Sequence, residues 1–180
     1  MPSTIFRVLL FPAFCALAAG AFAAGDHAMT SEELLDTAMA EYERGDYADA
    51  EEDVGEFIRR NPEEASAHFN RALARYQLAK LADAEADLDV HLSMDPRSAA
   101  AFELRAFVRL GRGNVAGALA DANVGLRIQE APGLRAARGR ALTGKGEYEE
   151  AVKDLDIALA ANEADDEARF ARGDCHLNLG

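Results

Sequence analysis

The chain has 180 residues and a formal net charge of −13, from 19 Lys and Arg against 32 Asp and Glu. With 49% of its residues hydrophobic, the composition is typical of one soluble domain of ordinary size rather than of a disordered chain. The acidic charge disfavours nucleic acid and anionic lipid as partners, because their phosphate groups are repelled. Two cysteines are too few for a disulfide scaffold, and the abundance of alanine favours helices.

The first 23 residues have the layout of a secretory signal peptide. Arg7 precedes an apolar run over residues 8–17, and the small residues of Ala21-Phe22-Ala23 suit cleavage after Ala23. An uncleaved membrane anchor is the alternative, but the apolar run is short for a span of about 20 residues and contains Pro12. We therefore expect an exported protein, periplasmic or secreted, with no membrane insertion after cleavage and a short linker at residues 24–30.

A sequence period close to 34 residues runs through the rest of the chain. Alanines recur with spacings of 34, 34 and 33 residues, each followed three residues later by an aspartate and preceded twelve residues earlier by another small residue. The alanines are Ala50, Ala84, Ala118 and Ala151, the aspartates are Asp53, Asp87, Asp121 and Asp154, and the earlier small residues are Ala38, Ala72, Ala106 and Gly139. Such an internal repeat predicts a stack of similar structural units.

Each unit has the pattern of a helical hairpin, with two apolar-periodic stretches joined by a short turn. The turns are expected near Gly45, Ala79, Gly113 and Gly146, and prolines between units lie at Pro62, Pro96 and Pro132. Proline ends a helix because it lacks a backbone donor and restricts the residue before it. The recurring small residues belong where two helices approach closely, since larger side chains would separate the backbones.

These residues resemble the tetratricopeptide repeat, which has small residues at its eighth and twentieth places and proline near its end. The resemblance gives repeats at 31–64, 65–98, 99–131 and 132–165, followed by a terminal helix at 166–180, or about four and a half units. It implies an all-α, right-handed superhelical solenoid of antiparallel hairpins whose first helices line a concave groove. Two departures are Glu163, which replaces the proline of the fourth repeat, and the non-aromatic residues at most fourth places.

Charged residues recur with the same period and predict an ion-pair ladder. The seventh places hold Thr37, Arg71, Arg105, Arg138 and Arg172. Each arginine could meet the aspartate of its own repeat or that of the repeat before. Only backward pairing uses every member, because the first repeat lacks the arginine and the last unit lacks the aspartate. The predicted pairs are Asp53–Arg71, Asp87–Arg105, Asp121–Arg138 and Asp154–Arg172; the alternative is that all eight are solvated surface charges.

Chemistry-bearing motifs are scarce in this sequence. The four histidines have no metal-ligand spacing, and the acidic runs lack the spacing of a calcium loop. Cys175 and His176 are adjacent, so on one helix they point about 100° apart, and no third group orients them as a nucleophile and its base. We therefore expect a non-catalytic protein without cofactor or metal. Cys175 is the only cysteine left after signal cleavage, which favours its burial over a role in a dimer.

The family resemblance places the fifth, ninth and twelfth residues of each first helix on the concave side. The predicted groove residues are Leu35, Met39, Tyr42, Phe69, Leu73, Tyr76, Phe107, Leu110 and Arg140, with Glu103 at the edge and Ala136 and Thr143 beside Arg140. An apolar, aromatic groove suits an amphipathic helix or an extended segment of a protein or peptide partner. The alternative for any one of these residues is that it packs within the superhelix.

Two functions follow from the repeats. The first is a non-catalytic adaptor or scaffold in the cell envelope that binds a partner segment in its groove. The second is a structural or assembly subunit that self-associates through residues 166–180. That helix contains apolar residues, so it is either a final cap or the first half of an incomplete repeat.

Overall fold

The computed structural model describes residues 29–180, and the predicted signal peptide lies outside this range. The described residues form nine α-helices and no strand, which confirms the predicted all-α repeat fold. The helices are α1 (Ser31–Arg44), α2 (Tyr47–Arg60), α3 (Ala65–Gln77), α4 (Leu81–Met94), α5 (Ala99–Gly111), α6 (Val115–Ile128), α7 (Pro132–Lys145), α8 (Tyr148–Ala161) and α9 (Asp166–Leu179).

Local sequence signals set the helix ends. The Thr30 hydroxyl accepts a hydrogen bond from the Glu33 backbone N–H, and the Thr30 N–H donates to the Glu33 carboxylate, so α1 begins with a capping box. The turn after the first helix of each unit needs a residue with positive φ. Gly45, Gly113 and Gly146 supply it with φ of 89°, 75° and 79°, whereas Ala79 adopts 57° in the second unit despite its Cβ.

Consecutive helices pack against each other along the whole stack. Contacts also connect the first helices of neighbouring units, α3 with α5, α5 with α7, and α7 with α9. These first helices therefore form one continuous layer, and the second helices form the other. No helix among the described residues combines the length and the apolar character that crossing a bilayer requires.

The recurring small residues lie between helices. The alanines Ala50, Ala84, Ala118 and Ala151 are at most 1% exposed, and the earlier small positions are buried as well. At Gly139 a Cβ would lie 2.7 Å from Leu155 Cγ and 3.2 Å from the Ala151 carbonyl oxygen. Close helix approach thus explains why these places hold only alanine or glycine.

Cys175 is fully buried in an apolar cluster at the C-terminal end of the stack, in agreement with the prediction. Its Sγ lies 3.1 Å from the Thr143 hydroxyl, and it has no disulfide partner among the described residues. The same cluster contains Leu142, Leu155 and Ala168. It fixes α9 against α7 and α8 and so positions the outward face of α9.

Candidate functional site: a cleft between three helices

The buried aspartates of the repeats each bind two guanidinium groups. Asp87 is 3% exposed; Arg71 donates to its two oxygens at 2.9 and 2.6 Å, and Arg75 donates at 2.7 Å. Asp121 receives Arg105 and Arg109 in the same geometry. A buried carboxylate needs such compensation because an unpaired charge in a protein interior is costly.

Asp154 has a different second partner. Arg138 binds both of its oxygens, and Arg135, at the fourth place of the repeat, donates to it at 2.8 Å. Burial by itself would raise the pKa of Asp154, but the hydrogen bonds from the two guanidinium groups outweigh burial and hold this pKa below its usual value.

The predicted backward pairing of the ladder is wrong. Arg71, Arg105 and Arg138 bind the aspartates of their own units, because the seventh and twenty-third places face each other across one hairpin. The argument from the chain ends failed at both ends. The Thr37 hydroxyl donates to the Glu33 carbonyl, and Asp53 has no ion pair among the described residues. Arg172 binds Asp156 at 2.9 Å, two residues beyond the predicted Asp154.

Each ladder arginine nevertheless reaches the preceding unit at that later position. Arg105 donates to Asp89 at 2.6 Å, Arg138 donates to Asn123 at 3.4 Å, and Arg172 pairs with Asp156. The Arg71 guanidinium lies over Gly55 at the equivalent place. The position that connects one unit to the next is therefore the twenty-fifth, and its side chain changes along the stack.

A second set of ion pairs connects the N-terminal units. Glu51 binds Arg75 at 2.9 Å and Lys80 at 2.6 Å, and Glu85 binds Arg109 at 2.8 Å as well as Arg112. Burial would raise the pKa of each glutamate, but the cationic partners outweigh it, so both pKa values lie below the usual one. These pairs tie the first unit to the second and the second unit to the third.

Most of the predicted groove packs within the stack. Phe69 and Phe107 are only 9% and 8% exposed. Leu73 packs against the core of the second unit, and Tyr76 contacts the cores of two successive units. The Tyr42 hydroxyl accepts a hydrogen bond from Gln77 at 3.1 Å. The half-buried residues are Leu35, Met39, Tyr42, Leu73 and Tyr76. The N-terminal aromatic stripe is thus largely structural.

An open cleft of about 1120 Å³ lies farther along the chain, between α5, α7 and α9. Leu110, Arg140 and Thr143 line it, as three of the predicted groove positions. The rest of the lining comes from α9, where the side chains of Phe170 and Leu177 are 79% and 84% exposed. The cleft is therefore apolar at its centre and is formed mainly by a helix that the sequence analysis treated as an end cap.

Helical spacing explains how α9 presents this face. Asp165 caps the helix by accepting a hydrogen bond from the Ala168 N–H at 3.0 Å. Ala168 and Cys175, seven residues apart, are fully buried against the preceding helices. Phe170 and Leu177, also seven residues apart, lie on the other side of α9 and point outward.

A sequence signal for the α9 residues was available. Counted from residue 166, the fifth, ninth and twelfth places of the last unit are Phe170, Asp174 and Leu177. These are the places that the resemblance assigns to the concave side in every repeat. The prediction stopped this count at the fourth repeat because the last unit was treated separately.

The charged groups of the cleft are mostly paired. Arg140 forms an ion pair with Glu167, and its guanidinium lies 5.5 Å from the centre of the Phe107 ring. Arg169 forms an ion pair with Asp166. Asp174 has no cation within salt-bridge distance among residues 29–180. One carboxylate of the cleft is therefore uncompensated.

Glu103, predicted at the groove edge, is instead buried at the start of α7, with 8% exposure. Burial raises its pKa to about 7, although a hydrogen bond from the Leu134 backbone opposes the shift. A Cβ at Gly133 would collide with this carboxylate, so glycine is required there. The side chain belongs to the α5–α7 interface and does not line the cleft.

Within residues 29–180, no three His, Cys, Asp or Glu side chains come close enough together to hold a metal ion. The residues of the cleft provide apolar contact and ionic recognition. That combination suits the binding of a polypeptide segment.

Comparison with known proteins points in the same direction. A family model described as tetratricopeptide repeat matches residues 35–99 and 136–180. No curated protein matches the sequence. A tetratricopeptide repeat protein from Parabacteroides merdae has 25% identity and a TM-score of 0.69, and the match covers 83% of this chain and 60% of that one. The chain thus spans less than two thirds of that protein's length.

Two further solved structures share the fold at lower identity. A thermophilic tetratricopeptide repeat protein of Thermus thermophilus has 20% identity and a TM-score of 0.68, with 84% of each chain covered. The protein YrrB, described as having an unusual peptide-binding site, has 12% identity and a TM-score of 0.68, with 83% of this chain and 78% of that one covered.

Proposed function

The chain belongs to the tetratricopeptide-repeat family, and from that premise we propose that it is an adaptor that holds a segment of another protein in the cleft between α5, α7 and α9. Proteins of this family are generally non-catalytic interaction modules. The observation that carries the proposal is the exposure of Phe170 and Leu177 at the family's groove positions. Large apolar side chains this exposed are typical of interaction sites.

The cell envelope is the proposed compartment. Arg7, the apolar run at residues 8–17 and Ala21-Phe22-Ala23 support export with cleavage after Ala23. Fractionation of cells that express the tagged chain tests this directly. We expect the shortened protein in the periplasm or the medium, and uncleaved chain in the cytosol would contradict export.

Affinity capture with a matched pair of variants tests the cleft. The bait is the purified protein, and the double variant Phe170→Ser with Leu177→Ser removes the two exposed apolar side chains. The control is Ile157→Ser, because Ile157 is 48% exposed on α8 and does not line the cleft. Both changes affect exposed residues, so both proteins are expected to fold like the wild type, as circular dichroism would verify.

We expect wild type and the Ile157→Ser control to retain the same proteins from an extract of the native organism, and the double variant to lose them. Retention of the same proteins by the double variant would show that the cleft is not the binding site. Loss with the control as well would indicate a general surface effect.

Self-association through α9 is a second candidate function, because Leu179 is also exposed, at 43%, beside Phe170 and Leu177 on this helix. A second copy could cover these side chains. Sedimentation velocity separates the two candidates. A wild-type dimer that becomes monomeric in the Phe170→Ser, Leu177→Ser variant would favour self-association, whereas a wild-type monomer would favour the adaptor.

A further inference from the structure

We propose that the segment bound in the cleft is basic and places a lysine or arginine, flanked by two apolar side chains, against Asp174. This inference rests on the proposed function and adds the chemistry of the partner. Three observations carry it: the arrangement of the α9 side chains, the pairing of the cleft's charges, and the acidic character of the whole chain.

The α9 side chains alternate in the order required. Phe170, Asp174 and Leu177 are four and then three residues apart, so they lie on one face of the helix. At a rise of 1.5 Å per residue, Phe170 and Leu177 are about 10 Å apart along the axis, with Asp174 between them. A complementary segment has two apolar residues at that separation and a polar or charged residue in the middle.

The charges decide which residue that is. Both arginines of the cleft already have carboxylate partners, Arg140 with Glu167 and Arg169 with Asp166. With Asp174, three carboxylates therefore face two guanidinium groups, and only Asp174 lacks a cation among the described residues. A cation from the partner would complete this set without breaking an existing pair.

Other partners fit less well. An acidic segment would meet both the Asp174 carboxylate and the field of a chain with net charge −13. A wholly apolar segment would cover the Asp174 carboxylate without supplying a countercharge, which is costly. A basic segment avoids both problems, and long-range attraction speeds its association.

Selection from a displayed library of random peptides tests the inference. The baits are the wild-type protein, Asp174→Lys, the Phe170→Ser, Leu177→Ser variant, and Asp36→Lys. Asp36 is exposed on α1, far along the stack from α9, so its variant carries the same change of charge outside the cleft. The experiment is run near pH 8, where an ordinary imidazole is uncharged.

We expect wild type and Asp36→Lys to select peptides with Lys or Arg between apolar residues, and Asp174→Lys to select Asp or Glu at that place. A synthetic peptide of the wild-type consensus should bind Asp174→Lys at least about tenfold more weakly, and its binding to wild type should weaken as salt is raised.

Three results would overturn the inference. Peptides that require Phe170 and Leu177 but carry no basic residue would leave the proposed function standing and refute the basic partner. Peptides that bind the Phe170→Ser, Leu177→Ser variant equally well would refute both. A wild-type dimer that this variant abolishes would make a second copy of the chain the occupant, which also refutes a basic partner segment.

Discussion

Two kinds of buried carboxyl group occur in this molecule. Asp87, Asp121 and Asp154 each have two guanidinium partners and remain charged at little cost. Glu103 is equally buried, but no cationic side chain contributes to its pKa, and only the Leu134 backbone stabilises its charged form. Its protonation is therefore coupled to folding.

Glu103→Gln is expected to remove part of the pH dependence of stability. Because burial raises the folded-state pKa from 4.5 to about 7, the folded protein binds the proton more tightly than the unfolded chain. The wild type therefore loses stability as pH rises from 4.5 to about 7 and changes no further from this group above that range. The amide never ionises, so the variant avoids this loss, which is at most about 3 kcal/mol.

Urea unfolding at about pH 5 and about pH 8 checks this expectation. Relative to wild type, Glu103→Gln should gain stability between the two pH values. Glu149→Gln, at an exposed site on α8, is the control and should show no such gain. A stability difference between wild type and Glu103→Gln that stays constant with pH would contradict the coupling.

At the scale of the elements, the eighth place of a unit decides how closely its two helices approach. Gly139 lies against Leu155 and the Ala151 carbonyl. Gly173 has the same place in the last unit, and there a Cβ would meet no neighbouring helix or side chain of the described residues within 4 Å. The same residue type therefore serves close packing in α7 and is unconstrained in α9.

Alanine substitution at these two glycines should have opposite effects. Alanine is favoured over glycine in a helix by about 1 kcal/mol, and Gly173→Ala should gain up to that amount. Gly139→Ala should instead lose about 1–3 kcal/mol, because its methyl group would displace Leu155 from a packed interface. Thermal unfolding of the two variants measures both effects. An equal gain from both substitutions would show that the α7–α8 interface can relax.

The elements were predictable from the sequence because small residues, prolines and turn residues all repeat with one period. The ladder partners were not predictable in the same way. A spacing of 16 residues within a unit and one of 18 between units fit the same recurring letters, and only the hairpin geometry distinguishes them. The open cleft was missed for another reason: exposure depends on which neighbours cover a position, and Phe69 and Phe170 have the same place in their units but 9% and 79% exposure.

At the scale of the whole molecule, the chemistry that joins the units changes along the stack. Glu51 with Arg75, and Glu85 with Arg109, tie the first three units by ion pairs. The same two places at the next junction hold Leu119 and Leu142, which belong to one apolar cluster. Because each unit of a repeat protein contacts mainly its neighbours, these junctions set local stability separately.

Salt should therefore destabilise the N-terminal units more than the C-terminal ones. Raising ionic strength from about 0.1 M to about 1 M shortens the screening length from about 10 Å to about 3 Å, which weakens the partly exposed pairs of Glu51 and leaves the Leu119–Leu142 contact unscreened. Amide hydrogen exchange measures this by element. We expect exchange in α1 and α2 to accelerate relative to α7 and α8, and a Glu51→Gln variant to show a smaller difference. Equal acceleration at both ends of the stack would mean that the ion pairs at the first junction contribute no more to its stability than the apolar contact does at the third.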